Sequence, residues 1–185
     1  MTAATPRPLR ADARRNRDRL LATAVAAFSH DPEITLDAIA KEAGVGIGTL
    51  YRHFPTREAL VEAAYRNELG RLGEASAELL RTLPPDQAVR AWMGRFVDYL
   101  ITKQGMAGAL RAVIASGGDP FAESRAHLLA AITPLLSSAG AAGTLRTDVD
   151  PLDLLVALNG VTLAVRSREQ ADRLLDLLFD GLRRR

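Results

Sequence analysis

The sequence has no cysteine, few aromatic residues and no long apolar run. With no cysteine among its 185 residues, the chain forms no disulfide bond, has no thiolate nucleophile and offers no cysteine ligand to a metal. No run of about 18 apolar residues is present, so the sequence predicts no membrane span. The N-terminus lacks the apolar segment of a secretion signal, and we therefore expect a cytoplasmic protein.

Groupings of residues that support catalysis are also missing. The three histidines, His30, His53 and His127, lie far apart and lack the spacing of a metal-ligand motif. Glycines alternate in the segment 44–48 as in a phosphate-binding loop, but no strand precedes them and the lysine of a P-loop is missing. We therefore expect no enzyme activity, no metal and no cofactor.

Helical patterns account for almost the whole chain, because nothing alternates like a β-strand and no internal repeat is present. Residues 1 to about 12 include Pro6 and Pro8 and are expected to be disordered. Capping and turn signals predict an all-α fold of about nine helices. Their approximate bounds are 13–29, 36–43, 47–54, 56–83, 86–103, 106–115, 119–138, 151–165 and 168–182.

The segment from Thr35 to Leu60 has the pattern of two short helices joined by a tight turn. Apolar residues recur at i, i+3, i+4 and i+7 in its first half. Thr35 can cap that helix, and Gly44 can adopt the left-handed conformation that ends it. Leu50 and Phe54 then carry a second short helix inward. This spacing is that of a helix-turn-helix unit, whose second helix enters the DNA major groove, but an ordinary helical hairpin shares it.

The residues left on the outside of the second helix favour DNA binding over a plain hairpin. If Leu50 and Phe54 face inward, six residues lie at or near the surface: Ile47, Gly48, Thr49, Tyr51, Arg52 and His53. Tyrosine, arginine, histidine and threonine together are typical of a face that contacts phosphates and reads base edges. A merely solvated face rarely needs them.

This segment resembles the DNA-binding motif of the TetR family, T-x-x-x-I-A-x-x-A-G-V-[ST]-x-G-T-[LI]-Y-x-[HY]-F-x-[ST]-K-x-x-L. The chain matches it without a gap at Thr35, Ile39, Ala40, Ala43, Gly44, Val45, Gly48, Thr49, Leu50, Tyr51, His53, Phe54, Thr56 and Leu60. Gly46 stands where the family has serine or threonine, which loses a side-chain cap and a phosphate contact. Arg57 stands where the family has lysine; it keeps the charge and could bind a phosphate bidentately.

The resemblance implies a DNA-binding head at residues 1–57 and a helical ligand-binding and dimerisation domain at residues 58–185. Five residues are expected to hold phosphates: Thr35, Tyr51, His53, Thr56 and Arg57. Four are expected to lie near the bases: Ile47, Gly48, Thr49 and Arg52. Ile47 has no hydrogen bond to give, so an apolar contact such as a thymine methyl would suit it.

Positive charge is concentrated at the start of the chain. The net charge is only +2, but residues 1–57 hold nine basic and six acidic residues, whereas residues 58–185 hold fifteen and sixteen. The early basic residues are Arg7, Arg10, Arg14, Arg15, Arg17 and Arg19. Such a cluster is compatible with a solvated tail, but beside a helix-turn-helix unit it can follow DNA phosphates or enter the minor groove.

Large, weakly charged side chains are spread over three helices of the second part: Trp92, Met93, Phe96, Tyr99, Met106, Phe121 and His127. In most proteins such residues form an ordinary core. In TetR-like proteins the corresponding helices enclose a pocket for a small effector, and adaptable side chains suit an apolar or amphipathic ligand. These side chains could therefore form an ordinary core or line an effector pocket, and the sequence leaves both alternatives open.

The last two helices carry more apolar surface than the remaining helices of one subunit could cover. We expect a dimer interface that includes Leu155, Val156, Asn159, Gly160, Leu163, Leu174, Leu178 and Phe179. TetR-like regulators pair through a four-helix interface of their last two helices, and a dimer matches a palindromic operator.

Together these patterns predict a sequence-specific DNA-binding transcriptional regulator, and the resemblance to the TetR family implies that it is ligand-responsive and a repressor. It would bind double-stranded operator DNA as a homodimer and be released by a small molecule. The alternative is a helical interaction adaptor without sequence-specific DNA binding. An adaptor needs the dimer helices but has no use for Tyr51, His53 and Arg57.

Overall fold

A computed structural model describes residues 7–184 of the chain, with side chains from residue 14 onward. This part forms nine α-helices: α1 (Arg7–His30), α2 (Leu36–Glu42), α3 (Ile47–His53), α4 (Arg57–Thr82), α5 (Pro85–Gly105), α6 (Ala107–Ala115), α7 (Ser124–Ala141), α8 (Pro151–Ala164) and α9 (Arg168–Leu182). Among the described residues the one extended pairing is an antiparallel bridge between Leu145 and Arg183. The all-α prediction is confirmed. No helix in the described range combines the length and the apolar character needed to cross a membrane.

Two helices, α1 and α7, begin several residues away from the predicted positions. The predicted disorder up to about residue 12 is wrong for residues 7–12, because α1 begins at Arg7. Proline is tolerated in the first turn of a helix, where its missing N–H would have had no helical partner, so Pro8 does not delay the start. Residues 1–6 lie outside the described part. α7 begins at Ser124 and not near residue 119, because the amide of Ser124 closes a turn onto the carbonyl oxygen of Phe121 at 3.0 Å.

The first of two compact units contains the described residues up to Asn67 together with Gln104–Pro120. It therefore holds α1, α2, α3, the start of α4, and α6. Its core consists of side chains with almost no exposed surface, including Leu20, Leu21, Phe28, Ile39, Leu50, Leu60, Tyr65 and Met106. The domain boundary suggested after residue 57 stays a prediction, since this unit also takes in the first turns of α4 and a later helix.

In this first unit, the junction of α5 and α6 lies very close to the end of α1, because two glycines there, Gly105 at the end of α5 and Gly108 in α6, have no Cβ atom. A Cβ atom on Gly105 would lie 2.9 Å from Cβ of Ser29. One on Gly108 would lie 2.7 Å from Cγ of Pro32, which is closer than real Cβ contacts. The loop between α1 and α2 thus rests directly on the backbone of α6.

The second unit contains Glu68–Lys103 and the described residues from Phe121 onward. Trp92, Phe96, Ile132, Leu135, Leu158 and Leu175 are buried in its core. The buried hydroxyl of Ser76 donates to the carbonyl oxygen of Ala131 at 2.6 Å and joins α4 to α7. Asp150 caps α8 by accepting from the amide of Leu152 at 2.7 Å, as its position in the sequence predicts.

Candidate DNA-binding site

The first helix of the motif is capped at both ends as its sequence requires. Thr35 has an extended backbone, and its hydroxyl oxygen accepts from the amide of Ala38 at 3.2 Å. Ile39 and Ala40 are buried and hold α2 on the core. Gly44 has a φ of +64°, the left-handed conformation that side chains other than glycine rarely adopt, so the chain can turn directly into α3.

The second helix, α3, is anchored by one side and exposed on the other. Leu50 is fully buried, and Phe54 is buried where the helix ends. Gly46 is the N-cap, with φ −62° and ψ 137°, and it contributes no side-chain hydrogen bond. The amides of Thr49 and Leu50 instead donate to the carbonyl oxygen of Gly46 at 2.8 and 3.1 Å.

The residues predicted to read DNA lie together on the free side of α3. Ile47, Gly48, Tyr51, Arg52 and His53 are exposed, and Thr49 is half-buried. Ile47 and Tyr51 are exposed although they are large and apolar or aromatic, with 37% and 47% of their surfaces accessible. Exposed side chains of this kind on a helix-turn-helix are suited to base-edge and backbone contacts, not to stabilising the head.

Arg52 lies along its own helix. Its Nε donates to the carbonyl oxygen of Gly48 at 3.0 Å, and its Nη2 is 3.4 Å from the hydroxyl oxygen of Thr49. This arrangement carries the guanidinium toward the N-terminal half of α3, next to residues expected near the bases. An arginine held there can offer paired donors to the edge of a guanine.

The two residues that begin α4 are placed differently from each other. Thr56 is exposed, and its hydroxyl oxygen caps the helix by accepting from the amide of Ala59 at 3.1 Å. Arg57 turns inward: its guanidinium donates to the carbonyl oxygens of Ile34 and Pro32. The sequence led us to expect this group on a phosphate, and the partners in the structure are backbone carbonyls of the α1–α2 loop.

The basic cluster lies on α1. Arg14, Arg15, Arg17 and Arg19 are exposed, while the side chains of Arg7 and Arg10 lie outside the described part. Arg14 approaches Asp18 at 3.9 Å, and Arg19 donates to Asn16 at 2.7 Å. These exposed pairs are weak, so the arginines can exchange them for DNA phosphates at little cost.

The aromatic and methionine set predicted for an effector divides into core and surface. Trp92, Met93, Phe96, Tyr99 and Met106 are buried, Phe121 is half-buried and His127 is exposed. The rings of Trp92 and Phe96 stack with centroids 5.4 Å apart, and the indole Nε1 of Trp92 donates to the carbonyl oxygen of Leu72 at 3.1 Å. Packing of this kind is that of a core.

A cavity of about 300 Å³ lies between α4 and α5 in the second unit. It is lined by Glu68, Arg71, Leu72, Ala75, Arg95, Asp98, Tyr99 and Thr102. Of the predicted effector residues, Tyr99 belongs to this lining. The sequence did not single out the other lining residues. Four of them, Glu68, Arg71, Arg95 and Asp98, are charged, and charged positions on a helix usually face solvent. A signal was available, since on each helix these positions follow the i, i+3, i+4, i+7 spacing of a single face.

The residues predicted at a dimer interface also divide into two groups. On α8, Val156, Asn159, Gly160 and Leu163 are all exposed and follow one face, with 63% of Val156 and 69% of Leu163 accessible. Leu155 and Phe179 are buried in the monomer, so they belong to its core. Leu174 and Leu178 of α9 are half-buried. Leu177, which the sequence analysis missed, is 68% exposed beside them.

Two family models match the chain. The model for bacterial regulatory proteins of the tetR family matches residues 20–64, and the one described as the transcriptional regulator SbtR-like C-terminal domain matches residues 84–184. The second covers more than half of the chain on its own.

Solved structures and a curated relative agree with these models. A TetR transcriptional regulator from Streptomyces coelicolor is 54% identical with a TM-score of 0.86, over 90% of this chain and 98% of that one. A TetR regulatory protein from Mycobacterium vanbaalenii is 35% identical with a TM-score of 0.80, over 96% and 100%. An HTH-type transcriptional regulator of Staphylococcus aureus (strain USA300) is 38% identical over 63 residues, which span 33% of this chain and only 34% of that relative.

An all-α chain whose helix-turn-helix exposes Tyr51, Arg52 and His53 on its second helix is a DNA-binding transcriptional regulator. The chain belongs to the TetR family, which confirms the resemblance, and its family and fold are not those of an enzyme. TetR regulators bind DNA and small-molecule ligands and act as dimers. The roles of individual residues stay predictions.

Proposed function

We propose that the protein is a ligand-responsive repressor that binds a palindromic operator as a homodimer and is released by a small molecule. The observation that carries this proposal is the exposed face of α3, which presents Ile47, Tyr51, Arg52 and His53 on a helix anchored by Leu50. We expect the repressor to act in the cytoplasm.

In the proposed complex, each α3 lies in a major groove. Gly48, Thr49 and Arg52 face the base edges, and Ile47 makes an apolar contact. Thr35, Tyr51, His53 and Thr56 hold phosphates on either side. Thr35 and Thr56 support this role because each already stands at the exposed start of a helix, where backbone N–H groups favour an anion.

Dimerisation would use the exposed face of α8 and the adjoining face of α9. Val156, Leu163 and Leu177 are large, apolar and mostly accessible in the single chain. Gly160, between the first two, has open space where a Cβ atom would be, so a helix of a second copy can approach there. Two identical heads then read two half-sites related by a two-fold axis, which makes the operator palindromic.

The effector would occupy the cavity between α4 and α5. Its lining includes the apolar Leu72 and Ala75 together with four charged side chains: Glu68, Arg71, Arg95 and Asp98. An amphipathic ligand suits this mixture better than a purely apolar one. α4 also begins directly after the motif, so a ligand that displaces α4 changes the separation of the two heads and disfavours the operator-bound form.

The first test is DNA binding by fluorescence anisotropy at several salt concentrations. The probes are the duplex immediately upstream of the protein's own gene, a duplex selected with the protein from a random-sequence pool, and a scrambled duplex. A sequence-specific repressor binds one of the first two at least about a thousandfold more tightly than the scrambled duplex. Equal, weak and steeply salt-dependent binding to all three would reject the operator and favour the adaptor.

A further inference from the structure

We propose that Arg57 is a positioning residue and does not itself bind a phosphate. It holds the α1–α2 loop and the start of α2 in the position from which they contact the DNA backbone. The inference rests on the proposed function, because it concerns how the DNA-binding head binds operator DNA. It departs from the expectation carried by the sequence motif, in which the basic residue at this position contacts DNA.

The guanidinium of Arg57 is held on two sides within the head. Its Nη1 donates to the carbonyl oxygen of Ile34 and its Nη2 to that of Pro32. Its central carbon lies 4.9 Å from the centroid of the buried Phe28 ring at the end of α1. Two charge-assisted hydrogen bonds and a cation–π contact fix the group more firmly than an exposed arginine.

The α1–α2 loop also packs against α6. Gly108 approaches so closely that a Cβ atom there would lie 2.7 Å from Cγ of Pro32. Pro32 of the loop therefore contacts both the guanidinium of Arg57 and the backbone of α6. The last residue of the loop, Ile34, directly precedes Thr35, the N-cap of α2. Holding the Ile34 carbonyl thus fixes where α2 begins.

Arginine is required for this arrangement, whereas lysine is sufficient for a phosphate. The planar fork of a guanidinium reaches two carbonyl oxygens at once and stacks on an aromatic ring. A lysine ammonium is a compact point charge that cannot stack in the same way. The N–H groups used on Ile34 and Pro32 are directed into the protein, so Arg57 acts on DNA through Thr35 and α2.

The test compares four variants with the wild type in two measurements. Arg57→Met removes the fork, Arg57→Lys keeps the charge, and Gly108→Ala pushes Pro32 while leaving Arg57 in place. Arg66→Met is the matched control, since this exposed arginine of α4 pairs with Glu62 in the same helix, at 3.2 Å. Hydrogen exchange of the free protein is followed at the hydrogen-bonded amides of Glu33, Ile34 and Ala38. Anisotropy on the pool-selected duplex measures the affinity and its dependence on salt.

A positioning role predicts that the amides of Glu33, Ile34 and Ala38 exchange on the order of tenfold faster in Arg57→Met and Gly108→Ala, because a charged hydrogen bond that holds the loop, or its geometry, is lost. The affinity for DNA falls in these two variants and also in Arg57→Lys. In all three, the slope of the logarithm of the binding constant against the logarithm of the salt concentration stays at the wild-type value. The control changes neither measurement.

Unchanged exchange in Arg57→Met would overturn the proposal. So would a salt slope lower by about 0.9 in Arg57→Met and restored in Arg57→Lys, since that is the signature of one lost phosphate contact. If the wild type itself does not prefer the selected duplex, the operator hypothesis fails, but the exchange comparison still decides whether Arg57 holds the loop.

Discussion

The indole Nε1 of Trp92 donates a hydrogen bond to the carbonyl oxygen of Leu72 at 3.1 Å, which ties α5 to α4 inside the second unit. Trp92 is fully buried and stacks on Phe96. Leu72 is one of the residues that line the cavity between these helices. The largest buried side chain therefore holds a residue that lines the proposed effector site.

Replacing this indole should destabilise the second unit. Trp92→Phe removes the hydrogen bond and leaves a void in a close-packed core, so we expect the free energy of unfolding to fall by about 2 kcal/mol. Urea unfolding followed by circular dichroism measures it, because the sequence holds a single tryptophan and the variant loses that fluorescence. Tyr51→Phe, on the exposed face of α3, is the control and should stay within about 0.5 kcal/mol.

The parts of the fold that the sequence predicted well are those decided by neighbouring residues. Asp150 and the proline after it set the start of α8, and α9 has the predicted bounds 168–182. The helix-turn-helix was equally clear, since Thr35, Gly44 and Leu50 each act within a few residues of their own position. Local chemistry of this kind can be read without a structure.

The parts that were missed depend on partners far along the chain. The carbonyl partners of Arg57 lie 23 and 25 residues away, and nothing in the local sequence distinguishes them from a phosphate. Phe179 was assigned to a dimer interface because its helix is apolar all along one side, yet the monomer's own core covers it. Periodicity identifies an apolar face, but it does not say which neighbour packs on it.

Tyr51 and Ile47 should respond differently to substitution although they lie on one helix face. Tyr51→Ala removes a proposed phosphate contact and should weaken binding about equally on every DNA sequence. Ile47→Ala removes a proposed base contact and should relax the preference at one position per half-site, by about 1 kcal/mol. Anisotropy against a panel of single-base variants of the selected duplex separates the two effects. A changed base preference in Tyr51→Ala would show that the phosphate assignment is wrong.

Two small substitutions of Gly46 test helix capping, because they should change the stability of the protein in opposite directions. Its φ of −62° suits any residue, and a Cβ atom would meet only the hydroxyl oxygen of Thr49, at 4.0 Å. Gly46→Ser adds a cap and should stabilise the protein by a few tenths of a kcal/mol, about 0.3, whereas Gly46→Ala should destabilise it by about 0.5 to 1 kcal/mol. Thermal unfolding of both variants measures this. Equal effects would mean that α3 gains nothing from a capping oxygen.

A charge on the exposed face of α8 should separate the proposed dimer. Leu163→Glu would bury an unpaired carboxylate between subunits, and we expect the dimer dissociation constant to rise by about a hundredfold or more. Sedimentation velocity over a range of concentrations measures it. Ile101→Glu is the matched control, because Ile101 is an exposed isoleucine of α5 and is 45% accessible. If both variants stay dimeric, the interface lies elsewhere.

The loop before α8 carries an ion pair whose effect on stability should depend on pH. Both oxygens of Asp148 accept from Arg146, at 2.7 and 2.6 Å, and these hydrogen bonds lower the pKa of Asp148 to about 2. Because the folded pKa lies below the unfolded value of 3.8, the pair stabilises the folded protein fully above that value. The contribution disappears as the pH falls through about 2.

Asp148→Asn should therefore unfold at a lower temperature than the wild type at pH 7, and the two melting curves should converge near pH 2. Because both side chains are well exposed, high salt should shrink the difference at neutral pH as well. The double variant with Arg146→Gln completes a thermodynamic cycle that isolates the pair from other effects of each substitution. A difference that persists unchanged down to pH 2 would mean that Asp148 acts through the shape of the loop and not through its charge.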